Sequence, residues 1–441
     1  MIHVLSVWVA LDWRRLSRTR GYVMRLSRIA GRQWLWLCGL LGGAAMMGAG
    51  CGVPDASVEP QPSAEMSTSL GPCVPSTSGT TVCGAVVTAV GVPIAGAQVD
   101  LRGTRTVTAA DGSFSVAAAV PVGAPLTITA PGYMPHVGAV TRNVLGATFV
   151  LHPLHRQTFT GGTATVTDPR SGASVTLNLA SLQGASASDQ PVPPFTVGVR
   201  FIDTGFLAMP GSDGAVNLTG QQVFLETRGA IYTEVRDSRG TLLKLRAGAT
   251  AQVFIPLTRD MAGTAPANIA LWSMPVGSNQ WAQQPSNATR SANQNQCSSR
   301  ATVTCNVDDC NRISTSGFRG NTNEIGFINA DIEKTNPACL RIDVNAAALP
   351  PGTVLPICLE LEIPIPSGGS QTRNICVGAG TDILYNLPFN TNLTVRQAAG
   401  MGCPPPPGTS VTVNTGAPWG GTGVPASPSQ CNGVLTLPPL P

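Results

Sequence analysis

The chain has 441 residues, of which only 11% are charged, and it is rich in turn-forming residues, with 49 glycines and 37 prolines. This composition favours short β-strands over long helices, and the length predicts two to four domains. Residues 1–50 hold seven arginines, so the formal net charge of +4 is misleading. The remainder has 20 basic and 22 acidic residues, which excludes a basic surface for nucleic acid.

An export signal precedes the folded part of the chain. Translation is predicted to start at Met24, which is followed by three arginines and by an apolar run from Trp34 to about Met47. A charged segment, an apolar segment and a small-residue exit are typical of a secretory signal. The apolar run of about 14 residues is shorter than the roughly 20 that span a bilayer as a helix. Residues 1–50 are therefore predicted to be removed.

The end of the signal resembles the lipobox of bacterial lipoproteins. Ala49, Gly50 and Cys51 fit its last three positions, whereas Gly48 stands where leucine is usual. The resemblance implies cleavage before Cys51 and a diacylglycerol on its sulfur, so that the N-terminal lipid holds the protein on a membrane. Gly52, rather than aspartate, implies the outer membrane of a Gram-negative bacterium. The alternative is an ordinary signal peptide that ends in a chance cysteine.

The predicted fold is all-β, with tandem β-sandwich domains after the signal and a disordered tether. Proline, serine and threonine dominate the tether, and little of it is apolar. The predicted segments are a signal at 1–50, a lipidated flexible tether at 51–80, β-sandwiches at 81–154 and 155–290, a disulfide-rich β domain at 297–403 and a Pro/Gly-rich tail at 404–441.

The first sandwich resembles the carboxypeptidase regulatory-like domain. The matching features are G-x-V at 84–86, PIAGAQVDL at 93–101, T-x-x-DGSFSV at 108–116, LTITAPGY at 126–133 and FVLHPL at 149–154. The family implies a transthyretin-like sandwich, a fold that resembles carbohydrate-binding modules of the starch-binding kind. Such domains occur beside zinc peptidases and also in adhesins and surface lipoproteins, so the resemblance implies no peptidase activity by itself.

Trp272 and Trp281 stand out in the second region, which weakly resembles the sandwich that follows such a domain in cartilage intermediate layer-like proteins. The two residues lie on either side of a Gly-Ser-Asn turn. One interpretation is a cross-strand pair that packs on the core. The other is a pair of exposed platforms that stack on sugar rings. Solvent exposure of the rings discriminates between them, because a buried ring cannot stack on a sugar.

Apolar residues alternate clearly in the third region, as in ICLELEIPIP at 357–366. Leu387-Pro-x4-Leu393-Thr-Val395 also matches Val120-Pro-x4-Leu126-Thr-Ile128 of the first sandwich at a constant offset of 267. The match indicates either a second transthyretin-like sandwich or a common strand-and-turn pattern.

Disulfides are predicted because an exported chain with an even number of cysteines favours them. Isolation in the sequence suggests the pair Cys73–Cys83, and Cys431 is expected to bond Cys403. Connectivity is otherwise open. The ten candidates are Cys73, Cys83, Cys297, Cys305, Cys310, Cys339, Cys358, Cys376, Cys403 and Cys431.

Few residues suit catalysis. Position 155 of the His152-x-x-His155 pair is not the glutamate that a zinc carboxypeptidase needs, and in an extended strand these residues face opposite sides. Calcium is the more plausible ion, at Asn306, Asp308 and Asp309, whose oxygens suit a hard cation although they lack the EF-hand spacing. A solvated acidic loop is the alternative.

The sequence therefore predicts a non-enzymatic, lipid-anchored envelope protein with a structural or adhesive role. Its partners would be the membrane, through the lipid, and an envelope protein or glycan. A carbohydrate-binding surface module is the alternative function. An accessory subunit of an exported peptidase has less support.

Overall fold

The computed structural model describes 73–74, 79–120, 124–140, 143–186, 189–204, 207, 209–211, 215–293, 312–334, 338–349, 357–364, 370–377, 380–397, 410–419 and 428–437. Within these ranges the chain is all-β, with a single four-residue α-helix, α1, at Arg259–Ala262. The predicted fold class is confirmed. None of the helices in the described part of the chain has the length and apolar character to cross a membrane.

The first sandwich consists of two four-stranded sheets. Its strands are β1 (Thr80–Thr88), β2 (Gln98–Leu101), β3 (Thr104–Val107), β4 (Ser113–Ala118), β5 (Ala124–Thr129), β6 (Tyr133–Met134), β7 (His136–Val140) and β8 (Val144–Pro153). The strand orders are β4-β1-β8-β6 and β3-β2-β5-β7. Every second residue of β2 and β5 faces the space between the two sheets and is buried there. These residues include Val99, Leu101, Leu126 and Ile128.

The predicted Asp111-Gly112 turn joins β3 to β4. Gly112 has a φ of +76°, a left-handed conformation that glycine adopts without steric cost. The Asp111 carboxylate accepts a hydrogen bond from the Ser113 amide at 3.0 Å. A Cβ at position 112 would lie 2.5 Å from the Val86 carbonyl oxygen. The turn therefore requires glycine for its conformation and for its space.

One large sheet forms the second region. Its strands are β9 (His155–Phe159), β10 (Thr163–Thr167), β11 (Ser174–Asn178), β13 (Phe195–Ile202), β14 (Ala215–Val216), β15 (Gln222–Arg236), β17 (Ala251–Thr258), β18 (Asn268–Met274), β19 (Trp281–Ala292), β20 (Ile313–Thr322) and β21 (Phe327–Lys334). The order is β10-β11-β17-β20-β19-β18-β21-β15-β13-β9, with β14 beside β15 and β19. A small separate sheet pairs β12 (Leu182–Gln183) with β16 (Lys244–Leu245).

The large sheet curls back on itself, because the strands at its two ends, β9 and β10, are consecutive in the chain. Inward-facing aliphatic and aromatic side chains fill the enclosed core, among them Val197, Val253, Ile255 and Phe318. Burial of this apolar surface is the main stabilising contribution, at roughly 25 cal/mol per Å².

The second region extends beyond the predicted boundary at residue 290. Strand β20 pairs with β17 and β19, and β21 pairs with β15 and β18. The predicted disulfide-rich domain at 297–403 includes both strands. They lie in the centre of the sheet, and strand pairing between segments distant in sequence cannot be read from their local alternation.

The third region is a sandwich of seven strands. They are β22 (Ala338–Val344), β23 (Ile357–Pro364), β24 (Ser370–Val377), β25 (Gly380–Leu387), β26 (Asn392–Gln397), β27 (Ser410–Asn414) and β28 (Gly433–Leu437). The sheets have the orders β25-β22-β28 and β24-β23-β26-β27. Strands β27 and β28 fall inside the predicted tail. They belong to the sandwich because each adds an edge strand to one of its sheets.

The third sandwich repeats the strand pairing of the first. Strand β1 pairs antiparallel with β4 and parallel with β8, as β22 does with β25 and β28. Strand β2 pairs with β3 and β5, as β23 does with β24 and β26. The matched segments at Leu126 and Leu393 occupy equivalent strands, β5 and β26. Of the two interpretations of the sequence match, this equivalence favours a repeated sandwich.

A disulfide joins Cys339 to Cys431, with Cα atoms 5.0 Å apart. The expectation that Cys431 bonds Cys403 is therefore wrong. The parallel pairing of β28 with β22 brings Cys431, two residues before β28, beside the first residues of β22, since Leu340 is the partner of Gly433. A second disulfide, Cys73–Cys83, ties residue 73 to β1. Cys297, Cys305, Cys310 and Cys403 lie outside the described residues.

Candidate functional site

An apolar layer lies where the first sandwich meets the second region. Here Val137 of β7 and Leu154, which follows β8, lie in one buried cluster with residues of β13, β14, β15, β18, β19 and β21. We call this apolar layer the joint. Its buried members are Val137, Leu154, Ile202, Leu207, Ala215, Val223, Leu225, Ala230, Tyr232, Trp272, Met274, Trp281 and Phe327.

Both candidate stacking residues are buried in the joint. Trp272 is 0% exposed and Trp281 is 3% exposed. Their rings therefore offer no face to a sugar in solvent, and the ligand-stacking hypothesis is wrong. The packing interpretation applies, with one modification. Trp272 lies opposite Gln283, and Trp281 begins β19 beside Ala215 of β14, so the two rings are not directly opposed.

The two indoles differ in their hydrogen bonding. The Nε1–H of Trp281 donates to the Pro210 carbonyl oxygen at 3.1 Å. The Nε1 of Trp272 is buried and has no hydrogen-bond partner among the described residues. Trp281 thus fixes the loop before β14, whereas Trp272 acts through packing alone. A buried unpaired donor costs about 1–3 kcal/mol, which the burial of the large ring offsets.

A polar group lies beside Trp272 on the outer face of β21. Asn329 is the register partner of Trp272, and Asp331 is the register partner of Thr227 in β15. Asn329 donates its Nδ2–H to Asp331 and to the Thr227 hydroxyl oxygen. One carboxylate oxygen of Asp331 has no partner in the described chain. Burial raises the pKa of the Asp331 carboxyl well above its usual range.

A buried ion pair stands at the bulge of β15, where the register shifts between Thr227 and Gly229. The Arg228 guanidinium is 0% exposed and donates to the Glu226 carboxylate at 2.5 Å and to the Thr264 hydroxyl oxygen at 3.3 Å. Burial lowers the pKa of Arg228, and the charge of Glu226 opposes that shift. The hydrogen bond from Arg228 to Thr264 links the loop after α1 to the bulge of β15. Only the glycine at 229 signalled the bulge in the sequence.

Three histidines, His136, His152 and His155, lie in the described part of the chain. His152 is buried in β8 and His155 is half-buried in β9, and no group of three metal-binding side chains occurs in the described ranges. His136 packs edge-on against the Phe149 ring, with centroids 5.1 Å apart. Burial lowers the pKa of His136 to about 4, so its imidazole is neutral at pH 7. Asn306, Asp308 and Asp309 lie outside the described residues, so the calcium hypothesis stays a prediction.

An exposed apolar turn connects β1 to the rest of the first sandwich. Val90 is 77% exposed and Val92 is 56% exposed. The turn is rigid, because the Gly91 amide donates to the Thr88 carbonyl oxygen at 2.9 Å and the Thr88 amide donates to the Val92 carbonyl oxygen at 2.8 Å. The two valines form a small exposed apolar surface on a turn that its own backbone hydrogen bonds hold. In the sequence, the local signal of this turn is Gly91, which has a left-handed φ of +81°.

No protein family model and no curated protein sequence matches the chain. Among solved structures, the TIE protein of Bacillus anthracis is similar over 74% of this chain and 46% of its own, with 12% identity and a TM-score of 0.14. A variant of BcpA, the major pilin subunit of Bacillus cereus, is similar over 81% of this chain and 99% of its own, with 9% identity and a TM-score of 0.15. The chain spans less than half of the TIE protein. At these TM-scores the similarities carry no functional inference.

Proposed function

We propose that the protein is an exported, lipid-anchored envelope protein with a non-enzymatic structural or adhesive role. The signal at 24–51 supports export and a lipid on Cys51. The observation that carries the structural role is the joint. Val137 and Leu154, on the side of the first sandwich, share one buried cluster with eleven residues of the second region, and the Gly211 amide donates to the Val137 carbonyl oxygen at 2.8 Å, which supports a first sandwich held against its neighbour.

A fixed first sandwich suits a protein that presents a surface. A domain that is attached only by a linker moves freely, whereas one held by an apolar layer keeps its loops in one direction relative to its neighbour. The turn with Val90 and Val92 belongs to this sandwich. We infer that it contacts an envelope protein or another extracellular macromolecule, because exposed valines gain free energy when a partner covers them.

Lipid anchoring is tested by metabolic labelling with a palmitate analogue. Label is expected in the membrane fraction for the native protein and is expected to be lost in Cys51→Ala, with the unprocessed precursor accumulating. Cys73→Ala is the matched control, because it removes a cysteine just downstream of the proposed cleavage site and leaves Cys51 intact. Equal labelling of the native protein and Cys51→Ala would contradict the proposal.

Partner contact is tested by placing a photo-crosslinking amino acid at position 90 in cells. A discrete crosslinked envelope component is expected. The control position is 218, because Leu218 is 63% exposed in the second region. Identical crosslinks from both positions, or none from position 90, would argue against an adhesive role for the turn.

A further inference from the structure

Strands β23 and β24 form a regular antiparallel hairpin at one edge of the third sandwich. Eight consecutive residue pairs are in register, from Ile357 opposite Val377 to Pro364 opposite Ser370. Strand β24 is the edge strand, since the sheet order is β24-β23-β26-β27. One end of the hairpin is closed by the chain connection at 365–369. Its other end is closed by no chain connection.

Cys358 and Cys376 are register partners at that second end. Directly opposed residues of an antiparallel pair have Cα atoms about 4.5–5.5 Å apart, and a disulfide needs about 4.4–6.8 Å. They also share one face of the sheet. Leu359, Leu361 and Ile363 are in the core, so period-two alternation places Cys358 on the outer face with its partner.

The first sandwich shows that opposed residues on this face interact. Strands β2 and β3 are the equivalents of β23 and β24, and they pair Asp100 with Arg105. The Arg105 Nε–H donates to the Asp100 carboxylate at 2.7 Å. The third sandwich therefore has a pair of cysteines on the face where the first sandwich has an ion pair.

We propose that Cys358 and Cys376 form a disulfide that covalently closes the open end of this hairpin. The two thiols lose two protons and two electrons to a disulfide oxidant of the export compartment, which is reduced to a dithiol. The bond would complete a pattern in the third sandwich. Cys339–Cys431 ties β22 of one sheet to the segment just before β28, and Cys358–Cys376 would join two strands of the other sheet.

The bond would also protect the contact between β24 and the second region. The Thr372 amide donates to the Thr204 carbonyl oxygen at 2.7 Å. An edge strand that is held by hydrogen bonds on one side can separate from its sheet, and β24 would then lose this contact. A hairpin closed at both ends cannot open in that way without local unfolding of the sheet.

Peptide mapping of the exported protein without reduction tests the proposal. A peptide pair that contains Cys358 and Cys376 is expected. Cys358→Ser should leave Cys376 open to alkylation, and Cys376→Ser should leave Cys358 open, whereas the double variant should show no new free thiol. The double variant should also have a folding equilibrium constant lower by on the order of 100-fold, because a loop of roughly 18 residues is no longer closed in the unfolded chain.

Cys339→Ser with Cys431→Ser is the control, since it must leave the Cys358–Cys376 peptide pair intact. Three results would overturn the proposal. They are a bond from either cysteine to Cys403, a bond from either to Cys297, Cys305 or Cys310, and alkylation of both thiols in the folded, exported protein.

Discussion

The indole Nε1–H of Trp281 donates a hydrogen bond to the carbonyl oxygen of Pro210 at 3.1 Å, whereas the Nε1 of the neighbouring Trp272 has no partner among the described residues. Both rings are buried in the same apolar layer. The difference separates the contribution of the hydrogen bond from that of the packing.

Replacement of each tryptophan by phenylalanine should therefore have unequal effects. Trp281→Phe removes the hydrogen bond and leaves the Pro210 carbonyl oxygen unpaired. Trp272→Phe removes a donor that is already unpaired. We expect Trp281→Phe to lower the free energy of unfolding by about 1 kcal/mol more than Trp272→Phe, measured by urea unfolding. Equal losses would mean that the hydrogen bond makes no net contribution to the free energy of unfolding. Leu218→Ala, at an exposed position, is the control and should be neutral.

The buried carboxyl of Asp331 should make stability fall as the pH rises. Its pKa is raised by burial in the folded state, so the folded protein retains the proton more firmly than the unfolded chain. That contribution is complete below the unfolded pKa of 3.8 and is lost as the pH rises through the folded pKa. Asp331→Asn should remove this dependence, which has a slope of up to about 1.4 kcal/mol per pH unit.

The measurement is urea unfolding at several pH values between 4 and 8. Leu218→Ala, at an exposed position that does not titrate, is the control. A difference between Asp331→Asn and the native protein that does not grow with pH would contradict the expectation.

His136 should make stability rise with pH, which is the opposite of the dependence expected from Asp331. Its folded pKa of about 4 lies below the usual 6.5, because burial against Phe149 disfavours the imidazolium. The stability that the neutral ring contributes is present above pH 6.5 and is lost as the pH falls toward 4. The total loss is at most about 3 kcal/mol. His136→Gln should flatten the profile in a pH titration of the thermal midpoint, whereas Leu218→Ala, at an exposed position that does not titrate, should leave it unchanged.

Gly112 and Gly96 offer a matched pair for the cost of a steric clash. Both have a left-handed φ, +76° and +69°. A Cβ at 112 would lie 2.5 Å from the Val86 carbonyl oxygen, whereas a Cβ at 96 would meet nothing within 4 Å. Both alanine variants should lose about 1 kcal/mol from backbone strain. Gly112→Ala should lose about 1–3 kcal/mol more in urea unfolding. Equal losses would show that the turn moves to accommodate the methyl group.

The disulfide Cys339–Cys431 should contribute strongly to stability. It closes a separation of 92 residues, so its loss is expected to cost about 3–5 kcal/mol through the entropy of the unfolded chain. Cys339→Ser with Cys431→Ser should lower the thermal midpoint in calorimetry. An unchanged midpoint would mean that the parallel pairing of β22 with β28 holds the end of the sandwich alone.

Alternation along single strands was predictable from the sequence, as Leu359, Leu361 and Ile363 show, because side-chain period follows directly from strand geometry. The packing of Trp272 and Trp281 was one of two interpretations, and burial decided between them. The assignment of β20 and β21 to the second region was not predictable. Their pairing partners lie far away in sequence, and alternation says which face is buried but not which sheet a strand joins.

The burial of polar side chains in the second region was also not predictable from the sequence. Arg228 and Asp331 are charged residues in strands, and nothing local distinguishes them from residues that face solvent. Their burial results from a bulge in β15 and from the packing of the joint. The disulfide partner of Cys431 likewise depends on the parallel pairing of β22 with β28, which the spacing of cysteines in the sequence does not predict.

If the chain is exported, as we propose, the parallel pairing of β22 with β28 imposes an order of folding events on it. The two strands that meet are separated by nearly the whole third sandwich, so this sheet cannot be completed until β28 has crossed the membrane. The first sandwich and the second region can fold earlier. Until β28 arrives, Cys339 lacks its native partner in an oxidising compartment and can form disulfides with other cysteines. Each non-native disulfide must then be rearranged by thiol–disulfide exchange. Yield in the cell should therefore depend on disulfide isomerisation more than on the final stability of the folded protein.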